Sequence, residues 1–122
     1  MTTRYETTVL AVGMHVAELL DNGRLILFGE EAPEELHDLC ALHRPTVTAG
    51  EVEPGDSVEI GDSRLQVTAV GDVANTNLEA LGHITLRVAE PTAEPLPGEV
   101  LVAGALPDRV DTGMHIRIER PV

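Results

Sequence analysis

The amino-acid sequence predicts a mainly β fold: a small β-barrel or sandwich-like single domain with two or three short helices. Short runs in which apolar and polar residues alternate, rich in Val, Ile and Thr, recur along the whole chain. Gly, Pro and Asp separate these runs. With 122 residues, of which 43% are hydrophobic, residues 1–122 are sized for one domain with a packed core.

Eight of these runs are predicted strands. In chain order they are residues 5–12, 24–28, 46–52, 57–60, 64–70, 83–88, 99–102 and 115–119. The turn Gly61-Asp62-Ser63 joins the fourth run to the fifth and indicates a β-hairpin. Residues 90–98 contain three prolines and are predicted to form a loop. Many short strands with few helices favour a barrel or a sandwich.

Two segments are predicted helices, and a third is ambiguous. Residues 33–42 open with Pro and two glutamates, which suit the positive end of a helix dipole, and their apolar positions fall on one stripe. Residues 73–81 predict a second helix, ended by Gly82. Residues 14–20 fit a helix less clearly.

The charge of the chain restricts its partners. The net charge is −13, and all eight basic residues are Arg. Such acidity argues against nucleic acid and anionic membrane surfaces, and it favours a basic protein face unless it serves solubility alone. Without Lys, neither Schiff-base chemistry nor a Walker-type phosphate loop is possible.

The cellular compartment of the protein is predicted from its cysteine content and its hydropathy. Cys40 is the single cysteine, so no internal disulfide marks an oxidising compartment. The N-terminus lacks an apolar signal core, and no apolar stretch approaches the ~20 residues that span a bilayer. We therefore expect a cytoplasmic protein without direct membrane insertion.

Histidines are the main candidates for chemistry. The spacing His37-x-x-Cys40-x-x-His43 resembles a metal-binding pattern, but residues six apart on a helix diverge by about 120°, so only Cys40 and His43 would share a face. A zinc site would also need a fourth ligand, and we expect no metal.

His43 has two interpretations from the residues alone. It lies at the predicted helix end, before Arg44-Pro45, where a ring nitrogen is expected to be exposed. There the residues alone favour a helix cap over a nucleophile. The Arg44 guanidinium, a bidentate ligand for phosphoryl oxygens, adds some support to the nucleophile. By itself, His83 is typical of a half-buried residue at a strand end.

Several motifs together resemble one protein family. The stretch at residues 68–86, which includes Gly82-His83-Ile84-Thr85, is similar to the signature of the glucitol/sorbitol-specific IIA components of the bacterial phosphoenolpyruvate-dependent sugar phosphotransferase system. The resemblance covers essentially the whole chain in the same order. It extends through Gly29-x-x-Ala32-Pro33, Leu39-Cys40-x-Leu42-His43, Pro54-Gly55-Asp56, Leu96-Pro97-Gly98 and Val110-x-x-Gly113.

The resemblance implies a barrel-like β fold and a phosphocarrier function. A IIA component takes a phosphoryl group from the phosphohistidine of HPr and passes it to a cysteine of the IIB component. The family's acceptor histidine is matched by His43. We expect His83 to lie near it and support transfer, and Arg44 to be a possible phosphoryl contact, without metal or cofactor. An orphan regulatory module and a binding module with an inactive site are the alternatives.

Overall fold

Eight β-strands close into one barrel in a computed structural model that describes residues 1–122. The order around the barrel is β1-β3-β2-β6-β7-β5-β4-β8. Neighbouring strands are antiparallel except for the parallel pairs β2/β3 and β6/β7. The strands are β1 Thr2–Val12, β2 Arg24–Gly29, β3 Cys40–Thr48, β4 Ser57–Ile60, β5 Ser63–Val70, β6 Ile84–Val88, β7 Glu99–Ala103 and β8 His115–Arg120. The barrel confirms the predicted mainly β class.

The barrel interior is filled by side chains from every second residue of the strands. In β2 the core positions that face inward are Leu25 and Leu27, and in β8 they are Ile116 and Ile118. Because side chains alternate between the two faces of a strand, this spacing of two builds one continuous aliphatic core. Closure also pairs both sides of every strand, so no strand edge is left open to another chain.

Two α-helices and one 3₁₀ helix complete the fold. Helix α1 spans Val16–Asp21, within and just beyond the ambiguous segment, and α2 spans Ala74–Leu81, as predicted. Helix α2 ends at Gly82, whose φ of 66° is left-handed and whose N–H donates to the carbonyl of Leu78. None of the three helices has the length and apolar composition of a transmembrane span.

The predicted helix at residues 33–42 is confirmed only in part. A 3₁₀ helix covers only Glu34–Leu39, and β3 begins at Cys40, so the predicted strand at 46–52 overlaps β3 only at residues 46–48. A short apolar run fits a buried strand as well as a helix. Here the hydrogen bonds to β1 on one side and β2 on the other select the strand. Tertiary pairing therefore overrides the local helix pattern.

The turn predictions are correct. Strands β4 and β5 pair as a hairpin from Ile60 and Ser63 outward, and Gly61 at its turn has a φ of 57°. Residues 90–98 contain neither helix nor strand.

Candidate functional site

A pocket of about 500 Å³ lies beside the C-terminal end of α2. Its wall combines residues of β1, β2 and β3 with the end of the helix and Gly82. The side chain of His43 belongs to this wall, together with Tyr5, Phe28 and three glutamates, Glu30, Glu31 and Glu79. This is the place where the barrel presents a nucleophilic side chain to a concave surface.

Strand pairing places His43 inside the barrel wall. His43 lies opposite Val9 of β1 and opposite Gly29 of β2. Its side chain is 0% exposed, so the expectation of an exposed ring at a helix end is wrong. The cause is the strand: an inward position of β3 buries the ring that a helix end would have left in solvent.

Both ring nitrogens of His43 are hydrogen-bonded. Nε2 lies 2.6 Å from the carbonyl oxygen of Gly82, and Nδ1 lies 2.6 Å from the hydroxyl of Thr7. A carbonyl oxygen can only accept, so Nε2 carries a proton and donates it to Gly82. In the neutral ring Nδ1 is then an acceptor, and the Thr7 hydroxyl donates to it. The two partners fix both the orientation and the tautomer of the imidazole.

The surroundings of His43 favour its neutral form. Burial lowers the pKa of His43 below its ordinary value of 6.5, and the hydrogen bond to the Gly82 carbonyl opposes this only in part. Tyr5 lies edge-on to the ring, with centroids 6.1 Å apart, and adds aromatic surface rather than charge. A neutral imidazole is the form that can act as a nucleophile.

Gly82 occupies a position that fits no side chain. Its left-handed φ of 66° ends α2, and a Cβ there would lie 3.0 Å from the Gly29 nitrogen and 3.1 Å from Nε2 of His43. Glycine therefore allows α2 to end against the imidazole and to direct a carbonyl at it.

The segment Gly82-His83 contacts His43 through its backbone. The contact is the Gly82 carbonyl, whereas the His83 ring stacks on Phe28, with centroids 4.2 Å apart and planes at 12°. His83 is half-buried, and burial lowers its pKa. A direct role of the His83 imidazole in transfer stays a prediction.

Arg44 is bound by a carboxylate at the pocket rim. Adjacent residues of a strand face opposite sides, so Arg44 is exposed while His43 is buried. Its Nε and Nη2 donate to the two carboxylate oxygens of Glu30, at 2.7 and 2.9 Å. This hydrogen bonding to Arg44 lowers the pKa of Glu30. Glu30 lines the pocket, so Arg44 offsets a negative charge there.

The spacing His37-x-x-Cys40-x-x-His43 does not form a cluster. The Nε2 of His37 donates to the carbonyl of Ala32, and Cys40 is buried beside Phe28 and Ala32. No group of three or more His, Cys, Asp or Glu side chains is placed to hold a metal ion. The predicted shared face of Cys40 and His43 is lost with the helix, because residues three apart in a strand face opposite sides.

Sequence reasoning missed two side chains of the site, Tyr5 and Thr7. Both lie on the inward face of β1, and both are buried. The one available signal was a Thr at an inward position of an apolar alternating run, where a hydroxyl needs a hydrogen-bond partner.

Comparisons with known proteins agree with one another. Residues 4–117 match the family model described as "PTS system glucitol/sorbitol-specific IIA component". The glucitol/sorbitol-specific EIIA components of Shigella flexneri and Escherichia coli are each 39% identical to this chain over 119 residues, covering 98% of it and 97% of theirs. The crystal structure of a PTS system IIA component from Enterococcus faecalis superposes with a TM-score of 0.78 at 29% identity, covering 91% of this chain and 96% of that one. The chain therefore belongs to the family of glucitol/sorbitol-specific IIA components, the phosphohistidine-carrying phosphocarriers of a sugar phosphotransferase system.

Proposed function

We propose that this chain accepts a phosphoryl group from phospho-HPr on Nε2 of His43 and passes it to a cysteine of a IIB component. The sugar served by this relay is glucitol/sorbitol or a related sugar alcohol, and the site of action is the cytoplasm. The observation that carries the proposal is the neutral imidazole of His43, held at both nitrogens in the wall of a pocket.

Nε2 is the nucleophile because it is the nitrogen on the pocket side of the ring. Its partner Gly82 lines the pocket, whereas Thr7, the partner of Nδ1, is 0% exposed and lies outside that lining. A phosphoryl donor that enters the pocket therefore meets Nε2 first. Nδ1 faces the barrel interior, where its hydrogen bond to Thr7 fixes the orientation of the ring.

Transfer requires a change at Nε2, because this atom donates to Gly82 in the described structure. The Gly82 carbonyl must move aside, and the ring proton must reside on Nδ1 so that Nε2 presents a lone pair. The Thr7 hydroxyl suits both states, since it donates to Nδ1 before the exchange and accepts from Nδ1–H after it. Thr7 is in this way a positioning residue for either tautomer.

The two transfer steps are in-line displacements at phosphorus. In the first, the Nε2 lone pair forms a bond to phosphorus, the N–P bond of the donor breaks, and its electron pair returns to the HPr imidazole. In the second, a IIB cysteine thiolate forms an S–P bond, and the N–P bond to His43 breaks with its electrons returning to Nε2. The phosphoryl donor is already activated, so positioning and charge stabilisation are the protein's main contributions.

The acidic surface around the pocket suits basic partners. Glu30, Glu31 and Glu79 line it, on a chain of net charge −13. A partner with a basic face is steered to such a surface, and its charges offset the repulsion between these carboxylates and the phosphoryl group. Salt is expected to slow the encounter, since opposite charges are screened beyond about 8 Å at physiological ionic strength.

The proposal is tested by reconstituting the relay in two stages. The chain is incubated with phosphoenolpyruvate, Enzyme I and HPr, and its intact mass is measured before and after adding the IIB component. We expect a gain of one phosphoryl group, acid-labile and alkali-stable, followed by its loss to IIB. No gain would indicate a binding module with an inactive site, and a gain without transfer to IIB would indicate a regulatory module.

A further inference from the structure

We propose that the hydroxyl of Tyr5 donates a hydrogen bond to an oxygen of the phosphoryl group carried by His43. The inference rests on the proposed function and deepens it, because it names a side chain that stabilises the negative charge of the phosphoryl group by a hydrogen bond. Tyr5 is then a catalytic residue in the strict sense, in contact with the group that is transferred.

The fold places Tyr5 in the wall of the pocket that His43 also lines. It lies on the inward face of β1, two residues before Thr7 and four before Val9, the strand partner of His43. The two rings meet edge to face, with centroids 6.1 Å apart and planes at 65°. Both side chains line the same pocket, so a phosphoryl group on Nε2 enters the space that Tyr5 borders.

The hydroxyl of Tyr5 has no partner in the free protein. Tyr5 is 2% exposed, and its oxygen is buried without any hydrogen bond. Buried hydroxyls are almost always satisfied, because leaving one unpaired forfeits its bonds to water. A Phe would fill the same volume without this cost. An unpaired donor on a side chain that lines the nucleophile's pocket suits a site whose acceptor arrives with the substrate.

The other groups of the pocket are less suited to this task. Its three carboxylates repel phosphoryl oxygens. The nearby Arg44 does not line the pocket, and its guanidinium is bound by Glu30. The hydroxyl of Thr48 also lines the pocket, but Thr48 is exposed and its hydroxyl can bond to water. Burial raises the pKa of Tyr5 to about 12, so the phenol keeps its proton at neutral pH and is available as a donor.

Tyr5→Phe tests the proposal because it removes only the oxygen. We expect phosphoryl transfer from phospho-HPr to slow by about 10- to 100-fold, at or somewhat below the usual loss for one such donor. We also expect the isolated phospho-form to hydrolyse faster and its phosphorus NMR signal to shift. The melting temperature should stay equal or rise, since an unsatisfied buried hydroxyl is gone.

Ser57→Ala is the matched control. The Ser57 hydroxyl is also buried and unpartnered, but Ser57 lies in β4 and outside the pocket of His43. This variant should transfer at the wild-type rate.

Three results would overturn the inference. Tyr5→Phe transferring within twofold of wild type, with an unchanged phospho-form lifetime, would refute it while leaving the proposed function intact. Slower transfer together with a lower melting temperature and an unchanged phosphorus signal would assign Tyr5 a structural role. A wild-type chain that accepts no phosphoryl group would refute both the inference and the proposed function.

Discussion

The Nε2 atom of His43 lies 2.6 Å from the carbonyl oxygen of Gly82, so the residue that ends α2 covers the pocket-side nitrogen of the imidazole. One hydrogen bond therefore joins the helix end to the proposed nucleophile. It holds the ring in the resting state and must break before Nε2 can attack. The junction of α2 and Gly82 is the element whose movement we expect to accompany transfer.

Gly82→Ala is expected to impair both stability and transfer. The left-handed φ of 66° strains any residue with a Cβ, and that atom would lie 3.1 Å from Nε2 of His43. We expect a loss of about 1–3 kcal/mol in the free energy of unfolding and a clear fall in the transfer rate. Chemical denaturation and transfer from phospho-HPr are the two measurements.

Gly113→Ala is a control that introduces backbone strain at a left-handed glycine without a contact to His43. Gly113 has a φ of 89°, and a Cβ there would meet nothing within 4 Å. This variant should lose stability but transfer at the wild-type rate. Equal transfer rates in the two alanine variants would contradict a specific role of Gly82 beside His43.

Thr7→Val tests the tautomer argument. Valine keeps the shape of the side chain but leaves Nδ1 of His43 without its buried partner. We expect transfer to slow by roughly 10- to 100-fold, in line with the loss of a histidine's orienting partner elsewhere. Thr7→Ser retains a hydroxyl and should recover most of the rate. If the serine and valine variants were equally slow, packing rather than the hydrogen bond would be the cause.

The pair of Arg44 and Glu30 is expected to act through charge at the rim. Arg44→Ala leaves the Glu30 carboxylate uncompensated beside the pocket, where it repels the phosphoryl oxygens. The transfer step within the complex should therefore slow several-fold, although the more acidic rim attracts a basic partner more strongly. The double variant Arg44→Ala/Glu30→Gln should recover most of this loss, and a double-mutant cycle measures the coupling. If the double variant stays as slow as Arg44→Ala, Arg44 acts on the phosphoryl group itself and not through Glu30.

The buried histidine predicts a pH dependence of stability. Burial lowers the pKa of folded His43 below its ordinary value of 6.5, so the unfolded chain binds more protons in the window between the two values. The stabilising contribution is fully present above 6.5 and is lost as the pH falls through the folded-state pKa. Denaturation midpoints should therefore fall on acidification, and less steeply in His43→Gln. Parallel curves for the two proteins would refute this assignment.

The sequence predicted the features that depend on local chemistry. The β4–β5 hairpin and the end of α2 at Gly82 each follow from turn residues that lie within a few positions of the elements they join. The mainly β class followed from alternation along the strands. None of these predictions required knowledge of which strands pair when they lie far apart in the chain.

The features that depend on pairing between distant strands could not be predicted. The apolar run that begins at Cys40 fits a helix until β1 and β2 pair with it. The hydrogen bond between Thr7 and His43 joins residues 36 positions apart, and the bond between His43 and Gly82 joins residues 39 apart. The resemblance to a family indicated His43, but its burial and its partners follow only from the closed barrel.

The most direct test of the account is phosphorylation of His43→Gln in the relay of phosphoenolpyruvate, Enzyme I and HPr. Because His43 is buried, circular dichroism must first verify that the variant folds. We predict that the wild-type chain gains one acid-labile phosphoryl group by intact mass and that folded His43→Gln gains none. A folded His43→Gln that still gains the phosphoryl group would contradict the assignment of His43 as the acceptor.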